Sequence, residues 1–265
     1  MLDIVTAVGF IGPVGNGRTQ PCRLECERGN GDIIEVVAKF SASTMEREKN
    51  LLIEAIAAML AADLGLPIPK HFVVRIPPAF VDILGAWPEV QHRIRSSCPL
   101  AYGTEHLPSG FSVWAKGQTV PEELSVQAAE IFTFDGIIVN NDRRPDFPNC
   151  LFSGSALAII DHELSLAPHQ LLGWREPWSN GGFSWYASPD GHIFAKPRLA
   201  HCPDDLDRFI AAWENLDASR FNEYFEAIPL EWQQPNPFRD NLIRYLMDVR
   251  SHIRDVVRES LGVLR

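Results

Sequence analysis

The residue pattern predicts an α+β fold in two lobes: a β-rich N-terminal lobe over residues 1–108 with one helix, and an α-rich C-terminal lobe over residues 109–265 with one β-hairpin. Three observations predict it. Strand-like alternation broken by Gly-rich turns fills most of the first lobe. Helical apolar spacing takes over from Pro121, interrupted by two short apolar runs, "NCLF" and "LAIID". The 265 residues are 46% hydrophobic and 22% charged, which is enough apolar material for a sizeable core.

The elements follow in order. "MLDIVTAVGFIG" leads through the Gly-rich "GPVGNGRTQP" to the strand "CRLECER", and the turn "GNGD" joins that strand to "IIEVVAKF" as a hairpin. Ser43 and Glu46 have the S-x-x-E spacing of a capping box. Ile53, Ile56, Ala57, Leu60 and Leu64 then repeat at helical spacing, and Gly65 with Pro67 stops the helix. "HFVVRI" is a further strand, residues 80–96 are mixed and partly helical, and "PLAYGTEHL" is a strand running into a connection. "PEELSVQAAEIFTFDGIIV" is a helix, and residues 163–192 are irregular, with Trp174, Trp178 and Trp185. In the tail, Leu206, Phe209, Ile210 and Trp213 mark one helix. Phe221, Tyr224 and Phe225 mark a second, and the apolar positions from Leu242 to Val257 mark one long last helix.

The net charge of −10 repels phosphate backbones, which argues against nucleic acid as a direct partner. Cys22, Cys26, Cys98, Cys150 and Cys202 form no paired CxxC set and read as buried thiols, Cys22 and Cys26 sharing one face of a strand with Leu24. No apolar run reaches transmembrane length and no leader pattern opens the chain, so the expectation is a cytoplasmic protein with no membrane partner.

The stretch "NNDRRPDFPNCLF", residues 140–152, carries more polar chemistry than a turn requires. The turn "SGS" centres near Ser155, which sets Asn149 roughly opposite Asp161. Opposed residues of an antiparallel pair have β-carbons about 4.5–5.5 Å apart. An amide oxygen and a carboxylate at that separation suit a hard cation such as Mg²⁺. Asp142 precedes the hairpin and is free to meet a hydroxyl. Taken singly, each of these residues fits a loop of Asx-turns. As a set they point to chemistry, because the hairpin and the carboxylate on its far strand are independent features.

Upstream, Gly15 and Gly17 of "GPVGNGRTQ" allow a close backbone approach to phosphates, although the loop is not a Walker A motif. Lys39 ends an apolar strand, where it either snorkels or reaches an anion. Glu54 borders the apolar stripe of the next helix and is either a solvated flank or a partner for Lys39. Gly loop, strand Lys, helix Glu, loop Asp, Asn and hairpin Asp is the order of parts in the protein-kinase plan.

The segments "FDGIIVNNDRRPDFPNCLF" and "LAIIDHELSL" resemble the catalytic segment of the HipA-like kinases, in the short variety with N-x-D-R, an insertion, P-N-x-L and I-D-H. Here these are Asn140, Asp142, Arg143, Pro148, Asn149, Leu151, Ile160, Asp161 and His162. "GNGRTQPCRLE", "VVAKF" and "NLLIEAIAAMLAADLGLPIP" resemble that family's phosphate loop, lysine strand and helix, so the likeness covers roughly residues 10–165. The resemblance implies a two-lobed protein-kinase-like fold using ATP and Mg²⁺. It implies Asp142 as the base, Asn149 and Asp161 as metal ligands, and Lys39 on the α- and β-phosphates, steadied by Glu54. Gly15, Asn16, Gly17, Arg18 and Thr19 would cover the phosphates, and the backbone of Thr104, Glu105 and His106 would form the hinge against adenine. Asn140 and Arg143 would support the loop, and His162 would orient Asp161. The sequence departs from ordinary kinases in spacing base and Asn as D-x6-N rather than D-x4-N. The implied function is ATP- and Mg-dependent phosphate transfer to a Ser or Thr hydroxyl of an unknown protein substrate. A small-molecule or lipid kinase of the same fold and a nucleotide-binding pseudokinase are the alternatives. The intact set of Lys39, Asp142, Asn149 and Asp161 argues against the last.

Overall fold

Five strands from the N-terminal part close into a barrel in the computed structural model, which describes residues 2–15, 19–166 and 173–265. They are β1 (Asp3–Pro13), β2 (Cys22–Glu27), β3 (Ile33–Lys39), β4 (His71–Arg75) and β5 (Leu100–Glu105), in the order β1-β2-β3-β5-β4. The parallel pairing of β1 with β4 completes the closure. Alternate residues point inward: Val5 and Ala7, then Cys22, Leu24 and Cys26, then Val36 and Ala38, with Phe72, Val74 and Ala101 opposite. Burial pushes the Cys26 thiol up to about 12, consistent with an inert core thiol. A barrel of so few strands has little interior room. At Gly103 a β-carbon would lie 2.5 Å from both Val36 Cγ1 and Val74 Cγ2, so only glycine lets those valines meet across it.

Helix α1 spans Glu48–Asp63. It starts later than the Ser43–Glu46 spacing suggests, because Ser43 lies in a separate 3₁₀ turn, Ser41–Ser43. Asn50 does the capping work instead: its Oδ1 accepts the Glu46 N–H at 2.7 Å. The helix ends at Gly65, whose φ of 67° allows Leu66 N–H to reach the Ala61 carbonyl at 2.9 Å and Gly65 N–H to reach Ala62 at 3.0 Å. Two more helices, α2 (Pro78–Asp82) and α3 (Pro88–Arg95), each open with proline at the first helical position. Both fall in or beside the 80–96 stretch read as partly helical, so the β-rich part holds short helices besides α1.

Beyond the barrel, β6 (Ser112–Val113), β7 (Cys150–Phe152) and β8 (Leu157–Ile159) form a three-stranded sheet, the first of them unforeseen because it is only two residues long. Helix α4 (Ser125–Ile138) is buried on almost every side, as its nearly continuous apolar sequence requires. Gly136 on it meets the ring of Phe183 so closely that a β-carbon would fall 2.1 Å from Cε1. The C-terminal helices are α5 (Asp207–Glu214), α6 (Ala218–Ala227), α7 (Asn236–Ser251) and α8 (Ile253–Leu264). The expected long last helix is thus broken, with His252 as the N-cap of α8.

By internal contacts the chain divides into one unit of Met1–Ile56, Pro69–Pro108 and Glu223–Pro235 and a second of Ala57–Ile68, Ser109–Asn222 and Asn236–Arg265. No helix among the described residues is long and apolar enough to cross a membrane.

Candidate active site

In the first unit, Lys39 at the end of β3 donates from Nζ to Glu54 Oε2 on α1 at 2.8 Å. Their side chains are 11% and 2% exposed. A carboxylate this buried on an apolar helix is tolerable only when paired and hydrogen-bonded, and Lys39 is the partner that lets Glu54 occupy the helix's inner face. Gly15, with φ of 63°, and the buried Thr19 belong to the Gly-rich connection after β1. Asn16, Gly17 and Arg18 lie outside the described residues.

The residues expected to form the hinge stand at the end of β5. Thr104 stands in register with Val37 on β3 and with His71 on β4, so β5 is paired along both edges here. Glu105 N–H donates to the Lys70 carbonyl at 2.7 Å and His106 N–H to the Glu35 carbonyl at 2.9 Å. These two N–H donors are engaged with the backbone in or beside the neighbouring strands.

In the second unit the polar stretch 140–152 begins where α4 ends. Val139 takes the left-handed conformation, φ 58°, which is costly for a β-branched residue. The N–H groups of Val139 and Asn140 both reach the Asp135 carbonyl, so the chain turns sharply out of the helix. Asn140 Oδ1 then accepts the Asp142 N–H at 3.2 Å. Residues 144–147 form a tight turn in which Arg144 and Phe147 exchange N–H···O bonds of 3.0 Å. This turn explains the long D-x6-N spacing. The inserted residues loop out and return, and Asn149 Nδ2 still comes to 3.3 Å from the Asp142 carbonyl and 3.4 Å from its Oδ2. Arg144 reaches Asp142 Oδ1 at 3.4 Å from the exposed side.

The hairpin register differs by one residue from expectation. Cys150 opposes Ile159, which places Asn149 opposite Ile160, and Ile160 N–H donates to the Asn149 carbonyl at 3.0 Å. Asp161 lies one residue beyond. Both Asn149 (φ 43°) and Asp161 (φ 64°) are left-handed, so each leaves the hairpin mouth at a bend that Asn and Asp tolerate better than most residues. Glu163, unassigned from sequence, is buried and brings a carboxylate oxygen within 4.8 Å of one on Asp161.

Beneath the loop is a buried ionic network. Arg143 has no exposed side-chain surface, and each of its five N–H donors has an acceptor. Nε donates to Asp135 Oδ2 at 2.6 Å, and Nη2 to Asp135 Oδ1 at 3.3 Å and to His162 Nε2 at 2.9 Å. Nη1 donates to the carbonyls of Asn149 and, at 3.2 Å, of Ile160. An arginine N–H can only donate, so His162 Nε2 accepts and the ring proton sits on Nδ1. Asp135 Oδ1 also accepts from Asn140 Nδ2 at 2.8 Å, and Oδ2 from His192 Nε2 at 3.0 Å. Burial alone would raise the Asp135 carboxyl, but Arg143 and His192 outweigh it and hold the group well below the usual carboxylate range. Asp135 and His192 went unread in the sequence, since one sits inside an apolar helical run and the other 57 residues further on.

His192 is fixed as a neutral tautomer. Its Nδ1 accepts the Phe194 N–H at 3.0 Å, so the ring proton is on Nε2, facing Asp135. Burial lowers its pKa from 6.5, against the opposing pull of Asp135 and with Arg143 adding to the lowering. A histidine depressed in the folded state contributes stability above its unfolded value, lost as pH falls toward the folded value. Wild-type stability to urea is therefore expected to decline between pH 7.5 and 5.5, one such group contributing up to about 1.4 kcal/mol per pH unit. His192→Gln should flatten that decline. Equal slopes in the two proteins would remove His192 as its source.

The chain belongs to the HipA-like kinase family, whose model matches residues 8–260. Among solved structures the fold is similar to the crystal structure of a Helicobacter pylori proinflammatory kinase, CtkA. The two share 11% identity at a TM-score of 0.53, over 94% of each chain. The open conformation of CtTel1 is similar at 10% identity and a TM-score of 0.46, over 94% of this chain and 12% of that one. The first likeness establishes a shared mixed α+β fold; the second is too low to carry an argument. No curated protein sequence matches.

Proposed function

We propose that this protein transfers the γ-phosphate of ATP, with Mg²⁺, to a Ser or Thr hydroxyl of a protein substrate. The observation that carries the proposal is the Asp142–Asn149 contact at the mouth of the hairpin, next to the left-handed Asp161. The donor set fits the cation. With its amide nitrogen turned toward Asp142, Asn149 offers Oδ1, and Asp161 offers carboxylate oxygens, both hard ligands of the kind Mg²⁺ selects. Magnesium held there would neutralise phosphate charge.

The protein's own groups do the rest. Asp142 is partly exposed on its loop, where it would orient the acceptor hydroxyl in line and take its proton. Asn149, by donating to Asp142, would keep that carboxylate aimed. In the first unit Lys39, pre-aligned by Glu54, would contact the α- and β-phosphates, with Gly15 and its neighbours covering them. The protein acceptor is supported by family membership alone.

The test is incubation of the purified protein with γ-labelled ATP and Mg²⁺, alone and with host-cell lysate. Label is expected on the protein itself or on a lysate protein. Label recovered only in a lipid or small-molecule fraction would replace the proposed acceptor. ATP bound stoichiometrically with no label transferred to any fraction would make the chain a nucleotide-binding pseudokinase.

A further inference from the structure

The two residues proposed to hold the cation, Asn149 and Asp161, both stand at bends of the hairpin mouth. Their bends are left-handed, and a lone loop would leave such conformations for easier ones. Beside the Ile160 N–H bond to Asn149 and the Asn149 contact with Asp142, Arg143 Nη1 gathers the carbonyl of Asn149 and that of Ile160, the residue before Asp161. The guanidinium is planar, so its orientation is set wherever its other donors are clamped. Two of them are clamped on Asp135 and the third on His162, and each Asp135 carboxylate oxygen already takes a second donor, from Asn140 or from His192. His192 ties in a distant segment, and Ile193 N–H adds a bond to the Arg143 carbonyl at 3.1 Å. Tyr186 Oη donates to the Asp135 carbonyl at 3.3 Å from the same side.

We propose that Asp135, held by His192, is the positioning residue of the cation site: through Arg143 it sets the backbone bends that aim Asn149 and Asp161. The consequence for cation binding rests on the phosphotransferase reading; the consequence for the hairpin mouth does not. Carboxylates that orient ligand-holding groups from outside the coordination sphere commonly contribute about 10–100-fold in metal affinity.

The two bonds of His192 can be separated. In His192→Gln the side-chain amide reaches about as far as Nε2 and can still donate to Asp135. In His192→Asn the shorter amide keeps an acceptor for Phe194 N–H at the Nδ1 position but loses the donor to Asp135. The experiment compares wild type, both His192 variants and Asp135→Asn. Binding of manganese(II) with ATP is followed by electron paramagnetic resonance. Amide hydrogen exchange at Ile160 is followed in the metal-free proteins.

The expected result for folded His192→Asn is about 10–100-fold weaker manganese–ATP binding. Exchange at Ile160 should be faster, while α4 and α8 amides keep their protection. His192→Gln should stay close to wild type in both. Asp135→Asn, if it folds, should behave as His192→Asn or worse; if it does not, the His192 pair decides. Wild-type affinity and wild-type Ile160 exchange in His192→Asn would overturn the proposal, as would equal losses in both His192 variants or uniform loss of protection. A wild-type protein that binds no manganese–ATP would fail the functional reading instead, leaving the exchange comparison to judge the role of Asp135.

Discussion

Asp142→Asn is expected to slow phosphate transfer by about 10²–10⁴-fold while leaving ATP affinity and folding near wild type. The substitution is nearly isosteric. It preserves the N–H bond to Asn140 and the carbonyl that Asn149 contacts, so the loop keeps its shape. What disappears is the carboxylate that would accept the hydroxyl proton. A group acting only in the transition state lowers kcat without raising KM, and that split is the signature to look for. Initial rates of label incorporation at several ATP concentrations would measure it. Transfer that survives intact in a folded Asp142→Asn protein would remove the residue from the chemistry, and a matching rise in KM would recast it as a binding group.

Arg143→Met should have the largest effect on stability, a loss of about 3–5 kcal/mol. Methionine fills similar space, so the cost is not mainly a cavity. It comes from leaving Asp135 buried with its principal counter-charge gone, and from orphaning the Asn149 and Ile160 carbonyls. Pairing it with Asp135→Asn removes the stranded charge, so the double variant should be more stable than Arg143→Met alone. Urea unfolding of wild type, both singles and the double gives the cycle. A loss below about 1 kcal/mol for Arg143→Met, or strict additivity, would show that the network is far more solvated than its burial implies.

The sequence made the local parts of the site legible and the non-local ones illegible. Asp142, Asn149 and Asp161 stand within one short stretch whose turn residues announce a hairpin, so their closeness is an expectation the sequence itself carries, and Asp142 and Asn149 do meet. The register was missed by one residue because "SGS" does not say which pair closes the turn. The structure closes it with Ser153 N–H on the Ala156 carbonyl, around a left-handed Gly154. Lys39 and Glu54 were legible as one of two readings each, since a strand end and a helix border suit a solvated charge as well as a pair. Whether a strand is paired along one edge or both, as β5 is, is not written in its sequence. Pairing of β5 with both β3 and β4 engages the Glu105 and His106 N–H donors. Asp135 and His192 carry no spacing at all, being joined only through the fold. Val139 shows the same limit: a valine at the end of an apolar run gives no sign that it must adopt a positive φ.

The proposed cation site is tested most directly by calorimetric titration of ATP into wild type and Asp161→Asn, each with Mg²⁺ and with a chelator in its place. Asp161 is partly exposed at the hairpin mouth, so the change to Asn should not threaten the fold. Wild type is expected to bind ATP markedly more tightly with Mg²⁺ than without. Asp161→Asn should bind weakly and equally in both conditions. A variant that binds as tightly as wild type and still requires Mg²⁺, or a wild type indifferent to the cation, would place the metal elsewhere or nowhere.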